Sequence, residues 1–215
     1  MKKILIFGGS SKLGVQLIRH FLIKKKYFII STYNKNNKNY IFKNNKNIKF
    51  IFIDFLKKKK TLSIIKKIFL EYRPNILILN AAFLPKKKNI INITNKDLLK
   101  VFYINFFSYF FIMQYILKHF RKDILVISML STVLKTGGRM LSSYAASKAA
   151  LWLLSKSITN EYKMIKFINL VFPSFYLKKS FTLKKSVYVK KILNKIEKII
   201  KLRRRLISAS TFVIK

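Results

Sequence analysis

A chain of 215 residues, 51% of them hydrophobic, suits one domain with a substantial core. It contains no cysteine, which excludes disulfides and thiolate metal sites and fits a reducing, cytoplasmic setting. The formal charge of +40 invites nucleic acid, an anionic membrane or acidic partners, yet the lysines run through the whole chain and accompany no nucleic-acid motif.

Strands alternate with helices along the chain. Ile4 to Phe7 reads as a buried strand that meets Gly8-Gly9 at once, which is not the pattern of a signal peptide. Val15 to Ile23 follows as a helix. Tyr27 to Tyr33 and Ile48 to Ile53 are strands, the second ending at Asp54. The polar stretch from Asn34 to Asn47 between them is a surface loop. Thr61 to Tyr72 is helical and stops before Pro74. Asn75 to Leu79 is a strand, and Lys96 to Phe120 a long helix. Ile124 to Ser128 is a strand, Ser143 to Tyr162 a helix, and Ile165 to Phe172 a strand closed by Pro173. Lys184 to Arg205 is an amphipathic helix, with Ile192, Ile196, Ile199 and Ile200 on one face. Leu206 to Ile214 is a final strand. Continuously apolar strands between helices predict an α/β fold: a Rossmann-like, doubly wound parallel sheet with helices on both faces, in a single domain over 1–215.

The run Val101 to Leu117 carries no charge. Asn105, Ser108, Gln114 and three tyrosines interrupt it, and 17 residues is short for a membrane span. A helix packed on the sheet and against a second subunit is expected instead. His20 and His119 are too scattered to hold a metal, and are read as helix-face residues.

Lys, Asn, Ile, Phe and Tyr have A+T-rich codons, so drift in base composition and solvated faces account for the charge without dedicated nucleic-acid binding. The same bias makes the exceptions informative. The five glycines are Gly8, Gly9, Gly14, Gly137 and Gly138. Six of the seven alanines are Ala81, Ala82, Ala145, Ala146, Ala149 and Ala150. They fall in four short places, and the site is expected there.

Gly8-Gly9-Ser10-Ser11-Lys12-Leu13-Gly14 joins the first strand to a helix. Glycine lets backbone approach a ligand, and a helix start offers N–H groups to a pyrophosphate. After the second strand, many NAD-binding folds place an acid for the ribose. Here Ser31-Thr32-Tyr33-Asn34-Lys35 has none, and Lys12 and Lys35 add positive charge. That favours NADP(H) over NAD(H). Tyr144 and Lys148 lie four apart and share one helix face. A fixed ammonium near a phenol favours the phenolate, so this tyrosine could exchange a proton with a carbonyl or alcohol. Ser131 precedes it by 144 − 131 = 13 residues, before the loop Thr136-Gly137-Gly138, and can hydrogen-bond the same substrate oxygen.

In combination and order, these motifs resemble the short-chain dehydrogenase/reductase family from Ile4 to about Pro173. The resemblance maps the family's catalytic tetrad onto Asn105, Ser131, Tyr144 and Lys148. Tyr144 would be the general acid/base, Ser131 would orient the substrate oxygen, and Asn105 would hold a relay water. Lys148 would bind the nicotinamide ribose and lower the tyrosine pKa. Cofactor contacts would come from Gly8, Ser10, Ser11, Lys12, Leu13, Gly14, Asn34, Asp54, Asn80, Ala81, Ala82, Tyr144, Lys148 and Pro173, with Asp54 at the adenine. No metal is implied. The family's dimer contact through the helices of Asn105 and Tyr144 implies a homodimer or homotetramer. Four departures stand out: Lys12 for a glycine, Phe7 for a threonine, Ala82 for a glycine and Ser174 for a glycine. The part after 173 is short and lysine-rich.

An NAD(P)(H)-dependent carbonyl–alcohol oxidoreductase follows, with a 3-oxoacyl thioester of fatty acid synthesis as first substrate and an acidic carrier protein as a partner the basic surface would attract. Pteridine, sugar or another small carbonyl are alternatives. So is a non-catalytic binding protein on the same fold. A nucleic-acid-binding protein using the charge is a third class of reading.

Overall fold

The structure is a computed structural model. It describes residues 1–34, 42, 44–120, 123–173, 183–203 and 205–214, the side chains of 183–186 excepted. Lys35, Ser174 and most of the expected loop from Asn34 to Asn47 lie outside the described residues.

Seven parallel strands form one sheet in the order β3-β2-β1-β4-β5-β6-β7. They are β1 (Lys2–Phe7), β2 (Tyr27–Tyr33), β3 (Ile48–Phe52), β4 (Ile76–Leu79), β5 (Ile124–Ser131), β6 (Ile165–Phe172) and β7 (Thr211–Val213). The expected single-domain, doubly wound α/β architecture is what the chain forms. The order reverses between β1 and β4, and the carboxyl ends of strands beside such a switch point are where open α/β sheets bind ligands.

Helices cover both faces. On one side α1 (Lys12–Ile23) and α7 (Leu183–Leu202) pack through Leu17, Ile18, Phe21, Ile192, Ile196 and Ile200 onto Ile4, Ile6, Ile127 and Ile168. On the other, α2 (Lys58–Tyr72), α4 (Ser108–His119) and α6 (Ser142–Glu161) pack onto Leu5, Phe7, Leu77, Val126 and Phe167. Successive side chains of a strand point to opposite faces, so a strand buried on both sides must be apolar throughout. That is why these strands read as continuous apolar runs. The four isoleucines expected on one face of α7 are all buried.

Three differences from the sequence reading stand out. The strand expected to end at Ser128 continues to Ser131, because β6 pairs with it through Ser131–Phe172. The last strand is three residues rather than nine: Thr211–Val213 pairs with Asn169–Val171, and the preceding residues meet β6 through turn bonds such as Ala209 N–H to Phe167 O at 2.7 Å. The long central helix is continuous but not uniform: α3 (Asn95–Phe102) passes through a π turn, Tyr103–Phe107, into α4. By length and composition Asn95–His119 could cross a membrane. Its Val101, Tyr109, Ile112 and Ile116 are instead fully buried in the protein core. His20 and His119 lie on α1 and α4, as expected; His20 pairs with Glu197 at 3.1 Å. Among the described residues no cluster of His, Cys, Asp or Glu could hold a metal.

Candidate active site

The glycine turn after β1 is held from three sides. Gly8 N–H donates to Thr32 Oγ1 at 3.1 Å and Gly9 N–H to Thr32 O at 2.8 Å. Asn80 Nδ2, after β4, donates to Gly8 O at 2.9 Å and to Ser11 Oγ at 3.0 Å. Ser11 caps α1 by accepting from Gly14 N at 3.0 Å. Two glycines are required by space as well. A Cβ on Gly8, whose φ is +78°, would sit 2.7 Å from Ala81 Cα, and one on Gly14 would sit 2.3 Å from Gly8 O. The helix start is thus drawn tightly under the turn. Helix geometry leaves first-turn N–H groups without carbonyl partners, and Ser11 takes only Gly14's. A cradle closed to side chains beside these donors fits a pyrophosphate.

Three of the four departures lie among the described residues. Lys12 opens α1, is exposed, and does not have the positive φ that would call for glycine; nor does Ala82. Phe7 is fully buried against the rings of Phe55 and Tyr109. Tyr109 in turn donates to Ala81 O at 2.7 Å, anchoring the Asn80-Ala81-Ala82 turn. At the far side, Asn34 Nδ2 donates to Ile53 O at 3.1 Å, and Asp54 Oδ1 accepts from Leu56 N at 3.1 Å. Asn34 and Asp54 therefore flank the ends of β2 and β3. Pro173 follows β6 at the same edge of the sheet, and Ser10 and Leu13 belong to the turn and the first turn of α1.

Asn105 lies in the π turn, fully buried. Its Oδ1 accepts from Phe83 N at 2.7 Å, and its Nδ2 donates to Phe83 O at 3.0 Å and Ser147 Oγ at 3.1 Å. Ser147 Oγ donates to Tyr144 O at 2.8 Å. One chain of bonds thus joins the central helix, the strand-β4 turn and the tyrosine helix. Lys148 Nζ donates to Met129 O at 3.0 Å, two residues before Ser131 on β5. Ser131 Oγ accepts a long bond from Val133 N at 3.5 Å. Tyr144 packs with Val133, Leu141 and Ala145. Its hydroxyl and Ser131 Oγ are not hydrogen-bonded to each other.

The electrostatics correct one expectation. The net position of the Tyr144 phenol is up, not down, because burial outweighs the pull of Lys148. Tyr144 is 3% exposed, and burial pushes its phenol up to about 12. Burial likewise brings the Lys148 ammonium down to about 8. The physical reason is placement: Nζ is turned to the Met129 carbonyl and lies 5.8 Å from the tyrosine ring centre, so desolvation outweighs attraction.

The family model of the short-chain dehydrogenases matches residues 2–176. The chain belongs to the short-chain dehydrogenase family. Solved structures agree in fold. The 4-hydroxyisoleucine dehydrogenase complexed with NADH and succinate is 24% identical, with a TM-score of 0.82 over 98% of this chain and 96% of that one. ElxO with NADP bound is 22% identical, with a TM-score of 0.82 over 99% and 96%. A Bacillus thuringiensis protein named as a 3-oxoacyl-reductase is 17% identical, with a TM-score of 0.85 over 100% and 96%. No curated protein sequence matches. As a short-chain dehydrogenase the chain is a member of an oxidoreductase family built around a nicotinamide cofactor, and its glycine cradle suits that group.

Three contributors were not singled out from the sequence. Thr32 binds both glycine amides, Ser147 bridges Asn105 to Tyr144, and the Met129 carbonyl fixes Lys148. Thr32 and Ser147 are a strand threonine and a helix serine without sequence signature. A carbonyl has none by nature.

Proposed function

We propose that the protein reduces a carbonyl to an alcohol with NADPH, with Tyr144 as general acid. The observation that carries this is the placement of Tyr144: a buried phenol four residues before a buried lysine, on the helix that Asn105 braces through Ser147. The phenol holds its proton at neutral pH; burial alone weakens it as an acid, so giving the proton up depends on the lysine charge that meets the phenolate. Gly8, Ser10, Ser11, Lys12, Leu13 and Gly14 would hold the pyrophosphate, Asn34 and Asp54 the adenosine end, and Asn80, Ala81, Ala82, Lys148 and Pro173 the nicotinamide end. A nicotinamide cofactor held there would supply the hydride for the carbonyl carbon. Tyr144 gives its proton to the carbonyl oxygen and regains one from solvent. Ser131 orients that oxygen. Lys148, mostly protonated at pH 7, stabilises the phenolate formed in between. Asn105 fixes the helix that carries Tyr144.

NADP(H) is favoured because no acid follows β2 and Lys12 stands exposed at the start of α1. ElxO is described with NADP, and 4-hydroxyisoleucine dehydrogenase with NADH. A 3-oxoacyl thioester is our first substrate, and an acidic carrier protein would suit the surface charge. Self-association would use α4 and α6, where Phe110 and Leu153 are 37% and 55% exposed beside a cavity of about 600 Å³.

The test is oxidation of NADPH and NADH with an acetoacetyl thioester, comparing wild type with Tyr144→Phe. Turnover that prefers NADPH and collapses in the variant is expected. Absence of nucleotide binding would instead support the non-catalytic reading of the same fold.

A further inference from the structure

Beside Tyr144 lies a groove of about 570 Å³. One wall is the loop before α6, with Arg139 and Met140, continuing into Ser142 and Ala145. The other is the segment holding Lys88 and Ile90, in the turn Ile90–Asn92. Lys88 N–H donates to Met140 O at 3.1 Å and ties the two walls together. Ser142 and Ala145, on either side of Tyr144 in α6, line the groove, so one end of it is the helix turn that carries the tyrosine.

The groove has a definite chemistry. Its two cations are not equivalent. Lys88 Nζ is neutralised by Asp97 Oδ2 at 2.6 Å. Arg139 is exposed, and among the described residues no carboxylate lies within ion-pairing distance of it. Ile90 is 73% and Met140 36% exposed alongside. Met140 also keeps a φ of +61°, a left-handed conformation that a non-glycine residue adopts only against strain and that recurs where a loop serves a site. An unopposed guanidinium next to uncovered apolar side chains matches a ligand with an apolar segment ending in an anion.

We propose that this groove selects an anionic substrate, its carboxylate or phosphate bound by Arg139 and its apolar carbons covered by Ile90 and Met140. The proposal rests on the reductase reading of Tyr144. The general charge of the protein attracts every anion, but that attraction is screened over about 8–10 Å at ordinary salt. A guanidinium fork on a carboxylate or phosphate is short-ranged and directional, and a single lysine elsewhere does not replace it.

The experiment compares matched substrates at 0.15 M salt. Acetoacetyl-coenzyme A is paired with the neutral N-acetylcysteamine thioester of acetoacetate, and acetoacetate with its methyl ester. The first pair reads a phosphate, the second a carboxylate. In at least one pair the anionic member is expected to have a KM about tenfold lower. Arg139→Ala should raise that KM about tenfold with kcat within twofold, and Lys66→Ala, an equal loss of charge on α2, should leave it unchanged. Equal KM values within both pairs, or equal effects of the two substitutions, would overturn the proposal while leaving the reductase reading intact. If no substrate turns over, calorimetric titration with acetoacetate and with phosphopantetheine reads the groove directly. Weaker binding of either by about tenfold in Arg139→Ala supports it, and no binding, or binding unchanged by the substitution, rejects it.

Discussion

Asn105 and Phe83 hold each other in both directions: the Phe83 amide donates to the Asn105 carbonyl oxygen at 2.7 Å, and the Asn105 amide donates back to the Phe83 carbonyl at 3.0 Å. A side chain here does what a neighbouring strand does elsewhere, pairing a loop's backbone after β4. The π turn places Asn105 for this. Such bulges in a helix often mark functional positions.

Asn105→Ala should therefore destabilise the fold. It leaves the Phe83 N–H and carbonyl without these partners and removes the bond to Ser147. Stranding buried polar groups costs about 1–3 kcal/mol each, so a total of about 2–4 kcal/mol is expected. For a chain of this length that is a fall in Tm of roughly 5–15 °C. A thermal melt within 2 °C of wild type would show that the bonds do not bear on stability.

Two glycines should respond differently to the same change. At Gly14 an added Cβ meets Gly8 O at 2.3 Å and Gly9 Cα at 2.6 Å, both backbone atoms that cannot swing aside. Gly14→Ala should push α1 off the turn and abolish nucleotide binding, read by calorimetry or NADPH fluorescence. At Gly137 nothing lies within 4 Å, and only its φ of +76° resists a side chain. Gly137→Ala should cost about 1–2 kcal/mol in urea denaturation and leave nucleotide affinity unchanged.

These contrasts show what was legible in the sequence. Glycines and alanines in a chain biased against them marked places where backbones approach: a Cβ on Gly8 would strike Ala81. Apolar runs gave the strands because each is buried on both faces. Partners gave the ends instead: β5 reaches Ser131 because Phe172 lies beside it, and β7 begins only after the turn of Ser208 to Ser210 that meets Phe167 and Asn169. The π turn had no signal, since Tyr103–Phe107 is as apolar as the helices flanking it. The upward net position of Tyr144 was hidden for a related reason. Spacing puts Lys148 on the same helix face, but only the fold turns Nζ toward Met129.

Charge sets a third prediction. With 46 basic and 6 acidic side chains, like charges meet far more often than opposite ones. The ion pairs among the described residues draw on only two acids, Asp97 and Glu197. Salt weakens these pairs a little and the general repulsion much more. Tm should rise between 0.02 and 0.5 M NaCl. Identical melting curves would mean that repulsion does not limit the fold.

Lys148 and Tyr144 give opposite signatures with pH. The Lys148 pKa falls from 10.5 unfolded to about 8 folded. Between those values the unfolded chain binds more protons, so stability from this group rises with pH. Its contribution is present above 10.5 and lost as pH falls through 8. Tyr144 is raised from 10.0 to about 12, so its contribution is present below 10 and lost as pH climbs through 12. The window from pH 8 to 10 isolates the lysine. There the wild type should gain on the order of 2–3 kcal/mol relative to Lys148→Met, which carries no buried ammonium to discharge. Paired urea denaturations at pH 7.5 and 10 measure the difference, and the other lysines cancel between the two proteins. A constant gap between them would mean that the folded protein hydrates or pairs the ammonium, and that its burial against the Met129 carbonyl does not disfavour the charge.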